Sequence, residues 1–158
     1  MDFDFENILK EFGISTEEEE EKARAEAIAA GNIAVAKVGE GNNMAFKNVN
    51  AFLVFQLKSG TDVTRVEVTS VDGSNLAATV PVSCSGDTPT PGNAFNGTQA
   101  STVSMTTSSA GIYYMSIVPG VTHTKGLKMT YYAGDTETGV YYLNKTLPIA
   151  VNQMYTIS

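Results

Sequence analysis

Residues 51–71 read AFLVFQLKSGTDVTRVEVTSV, and this stretch decides the fold of most of the chain. Its first eight residues would present apolar side chains on both faces of an extended strand, which is typical of a central strand covered on both sides. A Ser-Gly-Thr-Asp turn signal follows. Residues 63–71 then alternate β-branched and polar side chains, which predicts a strand with one buried and one exposed face. The stretch therefore indicates two neighbouring strands of a β domain.

The same character extends from Gly31 to the end of the chain. Short apolar or β-branched runs alternate with turn residues at intervals of about eight to twelve residues, which is typical of an all-β sandwich. We predict a two-layer antiparallel sandwich with no helix after residue 30. Residues 83–101 are rich in Ser, Thr, Gly, Pro and Asn and are expected to form a long surface loop. The predicted strands are residues 33–38, 44–49, 51–58, 63–71, 76–82, 102–106, 112–118, 127–132, 140–143 and 154–157, with Leu53, Phe55, Val66, Val68, Ile117 and Met129 in the core.

The charge distribution divides the chain in two. Residues 1–30 carry ten acidic and three basic side chains, which accounts for the whole net charge of −7, whereas residues 31–158 carry seven of each. Ser15 and Thr16 precede a glutamate run and an alanine-rich stretch, a pattern that predicts an acidic helix over about residues 16–30. Its alanine-rich face offers little to dock, so residues 1–30 are expected to form a mobile helical head. No basic surface for nucleic acid is expected.

Residues that could carry catalysis or bind a metal are scarce. His123 is the only histidine, and it lies in the polar segment VTHTKG, where we expect a solvated loop residue. Cys84 is the only cysteine, so it has no intrachain disulfide partner. Neither a Walker-type loop nor a dinucleotide-binding glycine pattern occurs. These observations predict no enzyme activity, no metal site and no cofactor.

Several segments, taken in order, resemble one known family. The segments MAFKNVNAFLVFQLK (residues 44–58), SNLAAT (74–79), YYMSIVPGVTHTKGLKMTYY (113–132) and KTLPIAVNQMYTIS (145–158) are similar to the N-terminal domain of Bacteroidales-type fimbrillins, the FimA-like and Mfa-like major fimbrial subunits. The likeness spans about residues 31–158. It implies a transthyretin-like antiparallel β-sandwich and a structural role at the cell surface, in the fimbria or pilus of a Gram-negative bacterium.

The resemblance also implies how subunits assemble. Subunits of the family are exported, trimmed by a protease after a basic residue and joined by strand exchange, so other fimbrial subunits are the expected partners. Ile33, Val35 and Val38 mark the candidate strand-exchange segment, and Arg24 is the candidate processing site. The chain opens on an acidic stretch without the positively charged start of a signal peptide.

A second interpretation is a carbohydrate-binding or adhesin-tip module, with host or bacterial surface glycans and proteins as partners. Tyrosine pairs occur at residues 113–114, 131–132 and 141–142. Successive side chains of a strand point to opposite faces, so one ring of each pair is expected to face the core and the other to be exposed. Tyr114, Tyr132 and Tyr142 are the candidate exposed rings. Clustering of the three on one surface would favour this interpretation.

Overall fold

The described part of the chain is entirely β structure. The computed structural model describes residues 33–36, 46–84, 89–92 and 95–157, and these residues contain no helix. The predicted all-β class is therefore confirmed for them. The chain divides into two units, Met1–Gly31 and Asn32–Ser158. The predicted acidic helix lies outside the described residues.

Fifteen strands form two larger sheets and four two-stranded ladders within the described residues. In chain order they are β1 (Ala34–Val35), β2 (Lys47–Asn48), β3 (Ala51–Leu57), β4 (Arg65–Ser70), β5 (Ala77–Thr79), β6 (Val82–Ser83), β7 (Thr90–Pro91), β8 (Asn96–Ala100), β9 (Thr102–Thr106), β10 (Gly111–Ile117), β11 (Thr122–His123), β12 (Leu127–Ala133), β13 (Thr136–Leu143), β14 (Leu147–Pro148) and β15 (Met154–Ile157).

The first larger sheet has the strand order β10-β3-β15, with the apolar strand β3 at its centre. β3 and β10 are antiparallel, with Leu53 opposite Met115. β15 instead runs parallel to β3, with Tyr155 beside Leu53. This parallel pair departs from the predicted all-antiparallel arrangement. The chain between the two strands is long enough to cross over, which a parallel pair requires and a short hairpin cannot supply.

The second larger sheet is antiparallel throughout, with the order β13-β12-β4-β9. β4 shows the predicted alternation, because Val66 and Val68 are buried while the residues between them are half-buried. A tight turn at residues 134–135 joins β12 to β13, and Gly134 adopts the positive φ of 60° that such a turn needs. The β12–β13 register shifts between Tyr131 and Tyr132, as at a β-bulge.

Side chains of both larger sheets belong to one hydrophobic cluster. All six predicted core residues are buried, which confirms the inward faces of β3, β4, β10 and β12. Burying one large aliphatic or aromatic side chain contributes about 1.5–3 kcal/mol, so this shared cluster is the main source of stability. Its buried members are Ala51, Leu53, Phe55, Leu57, Val66, Val68, Leu76, Met115, Ile117, Leu127, Met129, Leu147, Ile149 and Ile157.

The segment predicted as a long loop over residues 83–101 contains more order than expected. β6 pairs with β7, and β8 pairs with β5, with Ala100 opposite Ala77. The prediction of a loop was wrong for β8. Its sequence NGTQA has no apolar alternation to signal a strand, and pairing with β5 satisfies its backbone groups instead.

Candidate functional site: the groove beside Ile33

The candidate strand-exchange segment lies along the chain that enters β3. β1 forms a two-residue ladder with β2, in which Val35 is opposite Lys47. The carbonyl of Ile33 accepts a hydrogen bond of 2.9 Å from the N–H of Val49. Ile33 is 56 % exposed and Val35 is half-buried, so these side chains add little to the core. Val38 lies outside the described residues.

An apolar groove of about 240 Å³ opens beside Ile33. Most of its lining is aliphatic side chain or proline, and Asn50 and Ser116 are its polar residues. Such a lining favours an apolar side chain over a charged one, because a charge placed there would lose water without gaining a partner. The remaining lining residues are Val49, Leu76, Ala77, Ala78, Val80, Val82, Pro91, Ile117, Val118 and Pro119.

Asn50 connects the groove to both edges of the first larger sheet. This side chain is 4 % exposed. Its Oδ1 accepts a hydrogen bond from the N–H of Ile33 (3.3 Å), and its Nδ2 donates to Ser116 Oγ in β10 (2.7 Å). Its carbonyl accepts from the N–H of Asn152, just before β15 (2.8 Å). Asn50 is not among the predicted site residues, because an asparagine between two strands has the pattern of an ordinary turn residue.

The four edges of the two larger sheets pair with no other strand among the described residues. β10 and β15 bound the first sheet, and β13 and β9 bound the second. A strand edge without a partner presents N–H and C=O groups that can pair with an added strand.

His123 is fully buried in β11, so the prediction of a solvated loop residue was wrong. Its Nδ1 lies 2.7 Å from Ser70 Oγ, and the same hydroxyl lies 2.8 Å from Asp72 Oδ1. His123 Nε2 is the one buried side-chain polar atom of the described residues without a hydrogen-bond partner. Burial lowers the pKa of His123, while the nearby Asp72 charge acts in the opposite direction.

Asp72 ties the β4–β5 turn to β11. Its Oδ1 also accepts from the N–H of Ser74 (2.9 Å), and its Oδ2 accepts from both the N–H and the hydroxyl of Thr124 (2.7 Å for the hydroxyl). These hydrogen bonds, from Ser74 first and then Thr124, hold the pKa of Asp72 well below its ordinary value of 3.8. The carboxylate is therefore ionised and accepts hydrogen bonds only.

Because Asp72 is ionised, it determines which atom donates in each of the other hydrogen bonds of the cluster. Ser70 has one hydroxyl proton, and an ionised Asp72 oxygen 2.8 Å away takes it. His123 must then donate from Nδ1 to Ser70, which leaves Nε2 as a buried lone pair in the neutral ring. In a Ser-His-Asp triad the histidine lies between the other two residues. Here the serine holds that position, so the order of the three residues differs from that of a catalytic triad.

The three candidate exposed tyrosines do not form one surface. Tyr114 lies in β10 of the first larger sheet, whereas Tyr132 and Tyr142 belong to the second. The guanidinium carbon of Arg65 lies 4.1 Å from the centre of the Tyr132 ring, so a cation already covers that face. Tyr142 is 50 % exposed.

The inward partners of these tyrosines follow the alternation that the sequence predicts. Tyr113 stacks on Phe55 with ring centres 5.6 Å apart, and its hydroxyl donates to the Ser109 carbonyl (2.7 Å). Tyr131 packs against the core. Tyr141 is still 38 % exposed although its β12 partner is the buried Met129, because β13 is an edge strand.

Within the described ranges no three His, Cys, Asp or Glu side chains are grouped to hold a metal ion. No helix in that part of the chain is long and apolar enough to cross a membrane. Arg24, the candidate processing site, lies outside the described residues.

Comparisons with protein-family models, with curated proteins and with solved structures each find no match to this chain. The function proposed below therefore rests on the sequence and structure of this chain.

Proposed function

We propose that residues 31–158 form a transthyretin-like two-layer β-sandwich that serves as a structural module of a bacterial surface fimbria. Subunits assemble by strand addition and support adhesion, and the module has no catalytic role. The ordered fimbrillin-like segments in the sequence support this proposal. The shared core of the two larger sheets agrees with a sandwich.

The observation that carries the proposal is the groove beside Ile33. Ile33 forms part of its apolar lining. In the described part of the segment, residues 33–36, the chain is held by the two-residue ladder with β2, by the hydrogen bond from the N–H of Val49 to the Ile33 carbonyl, and by the one from the N–H of Ile33 to Asn50 Oδ1. A strand with many exposed side chains and few bonds is replaced at low cost by a longer strand that fills the groove better. The incoming strand would come from another subunit at the cell surface.

A peptide-exchange experiment tests this mechanism. The full chain carrying Ile33→Asp and Val35→Asp would hold its own segment less tightly, and a fluorescent peptide with the sequence of residues 31–38 would be titrated into it. We expect saturable binding that the same peptide with Ile33→Asp does not show. A second protein variant, with Ala78→Phe added to fill the groove, should lose the binding. Equal binding of both peptides would contradict strand addition at this groove.

The carbohydrate-binding alternative has less support. Tyr142 is the most exposed of the three candidate rings, but Tyr114 is on the other sheet and Arg65 covers Tyr132. A stacking platform for a sugar needs an open ring face. Saturable binding on a glycan array that is lost in Tyr142→Ala would favour this alternative over the fimbrial one.

A further inference from the structure

Two walls of the groove beside Ile33 continue directly into the buried cluster around His123. The first wall is residues 76–78, at the start of β5, and the second is residues 117–119, at the end of β10. Asp72 precedes the first wall by four residues, and His123 follows the second wall by four residues. A change at the cluster can therefore reach both walls through short stretches of chain.

Hydrogen bonds join the two walls at the groove and again at the cluster. At the groove, the N–H of Val118 donates to the carbonyl of Leu76 (2.9 Å). At the other end, the walls are joined by the hydrogen bonds of the His123 cluster, which consists of Ser70, Asp72, His123 and Thr124. Some of these bonds are made to an ionised carboxylate, which makes them stronger than a bond between neutral groups. The cluster therefore supplies most of the hydrogen bonding that holds the walls together.

The cluster is built around a neutral imidazole. His123 is fully buried, and its Nδ1 is already engaged with Ser70. A proton added at Nε2 would create a buried donor that has no acceptor among the described residues. Burying a charged group without a partner is costly, and burial accordingly lowers the pKa of His123. A protonated ring is thus more stable where it can reach water.

The charges near the ring do not remove this cost. Asp72 is the charged group that acts on His123, and it favours the protonated form. The Ser70 hydroxyl lies between the carboxylate and the ring, so Asp72 makes no direct contact with the proton at Nε2. The other groups around β11 are neutral or exposed, namely Ser70 of β4, Leu147 opposite His123 in β14, and the exposed side chains of Thr124, Lys125 and Lys145.

We infer that protonation of His123 separates β11 from the β4–β5 turn and thereby opens the groove beside Ile33 to an incoming strand. The domain then accepts a strand more readily in mildly acidic solution than at neutral pH. This inference rests on the proposed function, because it takes the groove as the site of strand addition, and it supplies the regulation of that site. The opening itself can be measured without any added strand.

The size of the effect is limited because a single group is protonated. In the opened form the ring reaches water and takes its ordinary pKa of 6.5. Between pH 8 and pH 5, one proton then raises the ratio of opened to closed form by at most about thirty-fold. Most of this rise falls below pH 6.5. A change of several-fold over this interval is the expected result.

Thiol labelling with a disulfide reagent tests the opening. In a full chain carrying Cys84→Ser, Val118→Cys reports on the groove wall and Val66→Cys reports on the core of the second larger sheet. Both native valines are buried, and the replacement is the same in each. A buried thiol reacts only when its surroundings open, so the ratio of the two labelling rates cancels the pH dependence of the thiol. We expect the rate for Val118→Cys, relative to Val66→Cys, to rise several-fold between pH 8 and pH 5.

Two variants show whether His123 is the group responsible. His123→Asn does not titrate, so its labelling ratio should not change with pH. Ser70→Ala breaks the connection between His123 and Asp72 at every pH, so its ratio at pH 8 should exceed that of the chain with Ser70. Circular dichroism would establish that the variants are folded. A ratio that stays constant with pH, an equal rise in His123→Asn, or an unchanged ratio in Ser70→Ala would overturn the inference.

Peptide binding separates this inference from the proposed function. The fluorescent peptide of residues 31–38 should associate several-fold faster at pH 5 than at pH 8 with the chain carrying Ile33→Asp and Val35→Asp. If the labelling ratio rises at pH 5 but the peptide binds at neither pH, strand addition is wrong and the acid opening stands. If the peptide binds equally fast at both pH values and the labelling ratio is constant, the acid opening is wrong and strand addition stands.

Discussion

Ser70 Oγ lies 2.7 Å from His123 Nδ1, so the last residue of β4 and an imidazole in β11 share a buried hydrogen bond. Ser70 in turn donates to Asp72, and Asp72 accepts from Thr124 beyond His123. A single chain of hydrogen bonds thus joins a sheet strand, a turn and a short ladder. Its protonation and its geometry lead to the first two predictions.

The stability of the domain should fall as the pH drops below neutral. Burial lowers the pKa of folded His123 below its ordinary value of 6.5, so the unfolded chain binds this proton more readily. The stabilising contribution is complete above pH 6.5 and decreases as the pH falls from 6.5 towards the folded pKa. Denaturant unfolding measured between pH 8 and pH 5 should show the free energy of unfolding decreasing as the pH falls.

The matched variant for this test is His123→Asn, whose amide can still donate to Ser70 but does not titrate. Between pH 6.5 and pH 5 the free energy of unfolding of this variant should decrease less than that of the native chain. A second loss is expected at lower pH, because the pKa of Asp72 is also lowered from 3.8 and its contribution is lost as the pH falls below that value. Identical slopes for the native chain and His123→Asn would mean that His123 does not set the pH dependence.

Removal of the Asp72 carboxylate should release β11 from the β4–β5 turn. Asp72→Ala leaves two backbone N–H groups and two hydroxyls without their acceptor, and hydrogen bonds to a charged group contribute about 1.5–3 kcal/mol each at most. Because water can replace some of these hydrogen bonds, we expect the free energy of unfolding to fall by about 2 kcal/mol. Asp135→Ala, at the exposed β12–β13 turn, is the control and should change it by less than about 0.5 kcal/mol.

Two glycines with similar backbone angles should respond very differently to alanine. Gly126 has φ of 76° and Gly134 has φ of 60°. A Cβ on Gly126 would collide with the carbonyl of Leu143 and lie 3.0 Å from the Lys145 carbonyl, whereas a Cβ on Gly134 meets nothing within 4 Å. Gly134→Ala should lower the free energy of unfolding by about 1–2 kcal/mol, because a residue with a Cβ is strained in the left-handed conformation.

Gly126→Ala adds a collision with backbone atoms that cannot rotate away. The free energy of unfolding of this variant should therefore fall by more than about 4 kcal/mol. Equilibrium unfolding of the two variants would measure the difference. Similar losses for both would show that the approach of Gly126 to Leu143 is looser than the structure has it.

Removal of residues 1–30 should leave residues 31–158 almost as stable as before. The predicted helix there has an alanine-rich face, and little apolar area can be buried at about 25 cal/mol per Å². The midpoint of thermal unfolding should shift by less than about 5 °C. A larger decrease would show that the acidic segment packs against the domain.

The elements that the sequence predicts well are those whose own pattern decides their structure. β3 is apolar on both faces and β4 alternates, so both strands and their buried residues follow from local periodicity. The position of His123 does not, since its segment is polar and its partner Ser70 is far away along the chain. β8 was not predicted for a related reason. Its sequence is polar and has no strand pattern of its own, so it is a strand only because it pairs with β5.

The candidate site also has features that a local sequence pattern predicts and features that depend on residues far apart in the chain. The alternation of side chains along β10 predicts that Tyr113 faces the core and Tyr114 the other side, and the Phe55–Tyr113 stack confirms the inward ring. Which sheet each tyrosine occupies depends on strand order, and no local pattern encodes strand order. Asn50 is hidden in the same way, since its hydrogen bonds reach Ile33, Ser116 and Asn152 from three separate parts of the chain.

The parallel pairing of β3 with β15 also determines when the domain can be completed. Phe52 and Met154 lie side by side, although more than half the length of the chain separates them. During synthesis β3 emerges early, and one of its edges must wait for residues 154–157 to leave the ribosome. Such late, long-range closure slows folding and leaves an apolar strand open to wrong partners in the meantime. The nascent chain should therefore depend on chaperones more than the finished domain does.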